Sequence, residues 1–128
     1  MRKTYVVDSG VQNGSYIRFL LQEEPNQSEV KAGGQLITDS ENQPFIYLMD
    51  EKDGYIYIQF PKTVWPLLAV SLGADEDPIL AWGNTDILLE HFREELNMLI
   101  FNIEGNHNYG AEFSNAVEEA FKEQLSVN

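Results

Sequence analysis

The sequence predicts an α+β fold: an antiparallel sheet, built from N-terminal strands plus a second hairpin, with three helices mainly covering one face. Three observations lead there. Strand-like runs come first and helical stripes last, without the βαβ alternation that marks a parallel sheet. The apolar period lengthens from two to near 3.6 at about Glu90. A chain of 128 residues suffices for one real core but not for two, so residues 1–128 are read as a single domain.

The elements follow in order. Residues 4–8 and 15–21 are β-rich and flank a Gly/Asn/Ser turn, which predicts a hairpin with a longer loop. The stretch EEPNQSEVKAGG, 23–34, is polar and carries a proline and two glycines, so it reads as a loop. QLITD at 35–39 is a short strand, and SENQP turns the chain into FIYLM at 45–49. DEKDG then leads to YIYIQF at 55–60. A three-residue loop with Gly54 in the left-handed region sets Glu51 opposite Tyr55. That register places Ile46, Leu48, Ile56, Ile58 and Phe60 on one aliphatic face, under the helices. Phe45, Tyr47, Met49, Tyr55 and Tyr57 share the other, aromatic face.

PKTVWPLLAVSLG reads as a helix capped by Thr63, with Pro66 in its first turn and Gly73 at its end. ILAW and TDIL form a hairpin about Gly83-Asn84. Phe92, Leu96, Leu99, Ile100 and Ile103 lie on one helical stripe. Phe113, Ala116, Val117, Ala120, Phe121 and Leu125 lie on another, across 111–125.

Composition excludes several functions. The net charge is −13, and residues 63–128 hold twelve acids against Arg93 and Lys122 alone. Such a surface repels phosphate, so neither nucleic acid nor an anionic membrane is an expected partner. No apolar run approaches the ~20 residues that span a bilayer. The first residues lack the apolar core of a signal peptide, and the cytoplasm is the expected location. Without cysteine there is no disulfide, thiolate site or thiol nucleophile.

Catalytic signatures are sparse. Two histidines, His91 and His107, stand outside any H-E-x-x-H pattern, and Glu104, His107 and Glu112 match no metal-ligand spacing. DEKDG departs from a calcium loop at Lys52 and lacks a glutamate at the twelfth position. No G-x-S-x-G elbow and no phosphate-binding glycine loop occurs. No metal, no cofactor and no catalytic residue is therefore expected.

NIEGNHNYGAEF, 102–113, has two readings. As a turn, Gly105 ends one helix, an asparagine caps the next, and Tyr109 with Phe113 pins the turn to the core. As a site, its amides, imidazole and phenol beside two helix ends exceed what a turn requires.

Two blocks resemble the YjbL-like family of small uncharacterised proteins from low-GC Gram-positive bacteria. One is GGQLITDSENQPFIYLMDEKDGYIYIQFPKTVW at 33–65, and the other is FREELNMLIFNIEGNHNYGAEFSNAVEEAF at 92–121. The chain departs from that family at Arg93, where histidine is frequent. The resemblance implies no activity but draws attention to Gln35, Asp39, Ser40 and Asn42, and to Asn102, Gly105, Asn106, Asn108, Tyr109 and Gly110.

The expectation is a non-catalytic interaction or regulatory protein. The alternative is a small-ligand binder or enzyme using Asn102, Asn106, Asn108 and Tyr109 with Asp39, Ser40 and Asn42. The aromatic face, with Phe45, Tyr47, Tyr55 and Tyr57, is the expected contact for an unknown protein partner or a homodimer.

Overall fold

Lys52 and Asp53 form a two-residue loop between strands Phe45–Glu51 and Gly54–Phe60, so Glu51 pairs with Gly54 and not with Tyr55. Shortening the loop by one residue slides one strand past the other by one, and that inverts its side chains. Phe45, Tyr47 and Met49 therefore share a face with Phe60, Ile58 and Ile56. Ile46 and Leu48 lie on the opposite face with Gln59 and Tyr57. The division into an aliphatic and an aromatic face is overturned. The six inward side chains are all core residues, each contributing about 1.5–3 kcal/mol by burial.

The protein, seen as a computed structural model, is described over residues 3–25, 29–39 and 44–126, with the backbone alone at His107. The strands are β1 (Lys3–Asn13), β2 (Tyr16–Leu21), β3 (Val30–Thr38), β4 (Phe45–Glu51), β5 (Gly54–Phe60), β6 (Ile79–Trp82) and β7 (Thr85–Leu88). They form one seven-stranded sheet in the order β3-β4-β5-β1-β2-β6-β7, curled into a half-barrel. Among the described residues four helices accompany it: α1 (Trp65–Leu72), α2 (Phe92–Ile103), α3 (Ala111–Ala120) and α4 (Lys122–Leu125).

The sheet is mixed, which corrects the antiparallel expectation. β1 runs parallel to β5, with Thr4 beside Tyr57, and β2 runs parallel to β6, with Phe19 beside Leu80. The β1–β2 hairpin thus enters the middle of the sheet, between the β4–β5 and β6–β7 hairpins. Its loop is also shorter than expected, since Asn13 pairs with Tyr16.

Part of the expected 23–34 loop is strand, because β3 begins at Val30. It reaches β4 through an irregularity between Ala32 and Gln35. Both glycines there are required. A Cβ on Gly33 would lie 2.3 Å from the Leu48 carbonyl oxygen, and Gly34 has φ +76°. The β6–β7 hairpin turns at Gly83-Asn84 as its sequence indicates, with Gly83 at φ +59°.

The concave side and the helices share one core. Phe19, Phe60 and Phe92 stack edgewise at 5.1 Å, from Phe60 to each of its neighbours. At one end Phe45 packs on Trp65, Phe113 and Phe121, which fixes α1 and α3 against β4. In α2 the stripe Phe92, Leu96, Ile100 and Ile103 is buried. Thr63 does not cap α1, whose N-terminal boundary residue is Val64 with no side-chain cap.

Candidate functional site

The sheet curls until its two edge strands, β3 and β7, come near each other without pairing. One end of that seam is pinned. The buried Tyr47 hydroxyl accepts the Gly34 N–H at 3.0 Å and donates to the Glu90 carbonyl at 2.6 Å. A carboxylate oxygen of Glu95 accepts the Leu36 N–H at 3.2 Å, covering the next free amide of β3. Burial, the largest cause, pushes the Tyr47 phenol up to about 12. Tyr47 is thus a structural rivet. With Phe45 it lies in the core, whereas Tyr55 is 53% exposed and Tyr57 half-buried on the other face.

The start of α2 is held from a distance. His91 sits at φ +67°, and the Asp77 carboxylate accepts the N–H groups of His91 at 3.2 Å and Arg93 at 3.0 Å. It supplies the cap that no local side chain provides. The Arg93 guanidinium donates to Asp77 and to the carbonyls of Ala74 and Asp75, drawing the acidic loop onto the helix.

The other end of the seam is open. There the walls of a hollow of about 880 Å³ come from β3, the β4–β5 turn and the β6–β7 hairpin. Val30, Trp82 and Ile87 supply apolar surface, and Glu29, Lys31, Asp50, Glu51 and Lys52 supply charge. Tyr5 buttresses Trp82 edge-on at 5.4 Å. Lys3 pairs with Glu51 at 2.9 Å, and the hydrogen bond to that carboxylate is the main cause raising the lysine pKa. Barrel mouths are a frequent place for ligands, and this one combines a small apolar patch with a charged rim. No sequence motif marks this hollow. Trp82 beside the Gly-Asn turn was the one visible signal, and nothing local links it to Val30.

The residues singled out earlier lie elsewhere. Asn102 and Asn108 are exposed, while Asn106 and Tyr109 are half-buried. The turn between α2 and α3 is self-bonded: the Asn106 side-chain oxygen accepts the Asn108 N–H at 3.0 Å, and the Asn106 carbonyl accepts the Ser114 hydroxyl at 2.9 Å. The Glu118 carboxylate accepts the Gly105 N–H at 2.9 Å, tying the two helices. Tyr109 stacks on Phe113 at 6.2 Å. The Asp39 N–H bonds the Pro44 carbonyl, while Ser40 and Asn42 lie outside the described residues. Among the described residues no three His, Asp or Glu side chains gather as a metal cage. No helix among them is long and apolar enough to cross a membrane.

Comparison with known proteins agrees over nearly the whole chain. A UPF0738 protein of Lysinibacillus sphaericus is 41% identical over 126 residues, covering 98% of this chain and 99% of the relative. A Staphylococcus haemolyticus relative of the same designation is 40% identical over 103 residues, covering 80% and 84%. One from Geobacillus kaustophilus is 31% identical over 125 residues, covering 97% and 100%. No solved structure matches. The resemblance to a small uncharacterised bacterial family holds at that level, and the designation the match supplies is UPF0738. Residues 5–121 match the family of unknown function UPF0738, and the chain belongs to that family.

Proposed function

We infer that the protein is a non-catalytic interaction protein of the cytoplasm that binds its partner at the open mouth of the half-barrel. The hollow of about 880 Å³ between β3 and the β6–β7 hairpin carries this reading. Its walls are main-chain edges and an indole, with carboxylates and ammonium groups of both signs around them. That is equipment for holding a molecule. The strongly shifted phenol, Tyr47, is consumed in pinning the seam.

The test is a thermal-shift panel of metabolites and peptides, followed by amide-resonance titration of each hit. A binder raises the melting temperature by mass action. Hits that move the resonances of Lys31, Trp82, Asn84 and Ile87 support the mouth. Hits that move none of these refute it.

A second reading rests on the Phe45–Phe113–Tyr109 ring contacts, which bring the start of β4 toward the α2–α3 turn. It assigns a small-ligand or enzymatic site to Asp39 with Asn102, Asn106, Asn108 and Tyr109. In the same titration, movement confined to Asp39 and Tyr109 selects it.

A further inference from the structure

Resting on the mouth as the binding site, we propose that its occupant is an extended peptide segment of a partner protein, which adds to β3 as an eighth strand. The direction of the β3 main chain carries the argument. In a two-residue hairpin the pair flanking the loop is hydrogen-bonded, and bonded pairs then alternate. With Glu51 opposite Gly54, the main-chain groups of Glu51, Met49 and Tyr47 face β5, and those of Asp50 and Leu48 face β3. Lys31 and Gln35, opposite Asp50 and Leu48, therefore turn their groups to β4. Val30, Ala32, Gly34 and Leu36 turn theirs away from it, into the seam.

Two of these four outward amides confirm the alternation. Gly34 donates to the hydroxyl of Tyr47, a side chain of neighbouring β4 that reaches on to Glu90 beyond β7, and Leu36 donates to Glu95 of α2. The molecule thus covers the closed half of the β3 edge with its own side chains. The other two, Val30 and Ala32, face the end where the hollow opens, and Val30 itself lines it. β7 offers a second edge on the far wall, since Trp82 opposite Thr85 closes a two-residue loop and Asp86 then faces outward. The occupant lies between two edges of one sheet.

Side-chain parity specifies its chemistry. Val30 pairs with Glu51 and Ala32 with Met49, so both point to the concave side, as do Thr85 and Ile87 opposite Trp82 and Leu80. A strand laid on Val30 and Ala32 directs every second side chain onto Val30, Trp82 and Ile87. Those residues are apolar, and the intervening ones meet Lys31, Asp50 and water. Main-chain bonds supply affinity and alternate side chains supply selectivity, as in other strand-addition complexes. A peptide with apolar residues at alternate positions fits.

The experiment is selection of a phage-displayed random heptapeptide library on the full-length folded protein. The strongest peptides are then synthesised and titrated. The expected peptides alternate apolar and polar residues, move the resonances of Trp82 and Ile87, and slow hydrogen exchange at Val30 and Ala32. N-methylation at one alternate set of peptide nitrogens weakens binding about tenfold or more, while the other set tolerates it. Ala32→Pro, which deletes an outward N–H, weakens binding to the same degree with an unchanged circular dichroism spectrum. The N-methyl series decides the matter if that variant fails to fold. Peptides that move the mouth resonances but tolerate methylation at every nitrogen, without protecting Val30 and Ala32, overturn strand addition and leave the mouth as a site. No enriched peptide, or peptides that leave the mouth unmoved, overturns strand addition too, and the metabolite panel then judges the mouth by itself.

Discussion

Tyr47 and Glu90 are joined by a 2.6 Å hydrogen bond, from the phenol of the strand next to one edge of the sheet to the backbone two residues beyond the last strand. The same oxygen receives the Gly34 N–H from the opposite edge of the sheet. A single hydroxyl therefore uses its donor and its acceptor to bring together the two ends of a seven-stranded sheet. It also pins one end of the seam, and the hollow lies at the other.

Tyr47→Phe keeps the ring on Phe92 and removes the bridge. Both the Gly34 N–H and the Glu90 carbonyl lose a partner, and losses of this kind cost about 1–3 kcal/mol. Urea denaturation should show that loss with an unchanged m-value. Hydrogen exchange at Gly34 should accelerate in the variant relative to wild type. A variant as stable as wild type removes the rivet.

The same group sets an alkaline limit. Burial raises the Tyr47 phenol from 10.0 to about 12, so folding favours its neutral form. That contribution is fully present below pH 10 and is lost as pH rises toward 12. Two pKa units correspond to about 2–3 kcal/mol. The stability difference between wild type and Tyr47→Phe should hence shrink across pH 10–12 and stay constant across pH 6–9. A difference that does not change with pH contradicts the assignment.

Asp77→Ala should loosen the beginning of α2. It deletes the acceptor of the His91 and Arg93 amides and the anchor of the Arg93 guanidinium. Loss of a carboxylate cap costs about 0.5–2 kcal/mol. Arg93→Ala should cost less when made in the Asp77→Ala background than alone, and a double-mutant cycle reads that coupling. Strict additivity means the two residues act separately.

Asn106→Ala and Asn108→Ala separate a turn from a site. The Asn106 side chain closes the turn by accepting the Asn108 amide, so its loss costs about 0.5–1.5 kcal/mol. The exposed Asn108 side chain should be replaceable within about 0.5 kcal/mol. Thermal melts measure both. An Asn108→Ala variant that keeps its stability but loses binding to a hit from the ligand panel would move the function to this turn.

Local pattern was enough for the pieces that interact with their sequence neighbours. The stripe of Phe92, Leu96, Leu99, Ile100 and Ile103 follows from 3.6-residue periodicity, and all are buried except Leu99, which is half-buried. The Gly83-Asn84 hairpin follows from the conformation that glycine permits. The α2–α3 turn was legible in part: Gly105 takes φ +67° and Asn106 accepts the Asn108 amide, but no asparagine caps α3, which begins at Gly110 without a side-chain cap.

What the sequence by itself determined is therefore the local elements, the acidity and the family-like blocks. The tertiary structure decided the rest. A loop of two residues or three was compatible with Lys52, Asp53 and Gly54, and one residue of register exchanges the two faces of β5. Packing chose between them: Tyr47 turns inward, where its hydroxyl meets Gly34 and Glu90, 13 and 43 residues away. The parallel neighbours Thr4 with Tyr57 and Arg18 with Ile79 are likewise remote pairings with no local signature. The mouth follows from them, since Val30 faces Trp82 only after the sheet has curled. Periodicity reports which side of an element is apolar; only the closed sheet determines what that side meets.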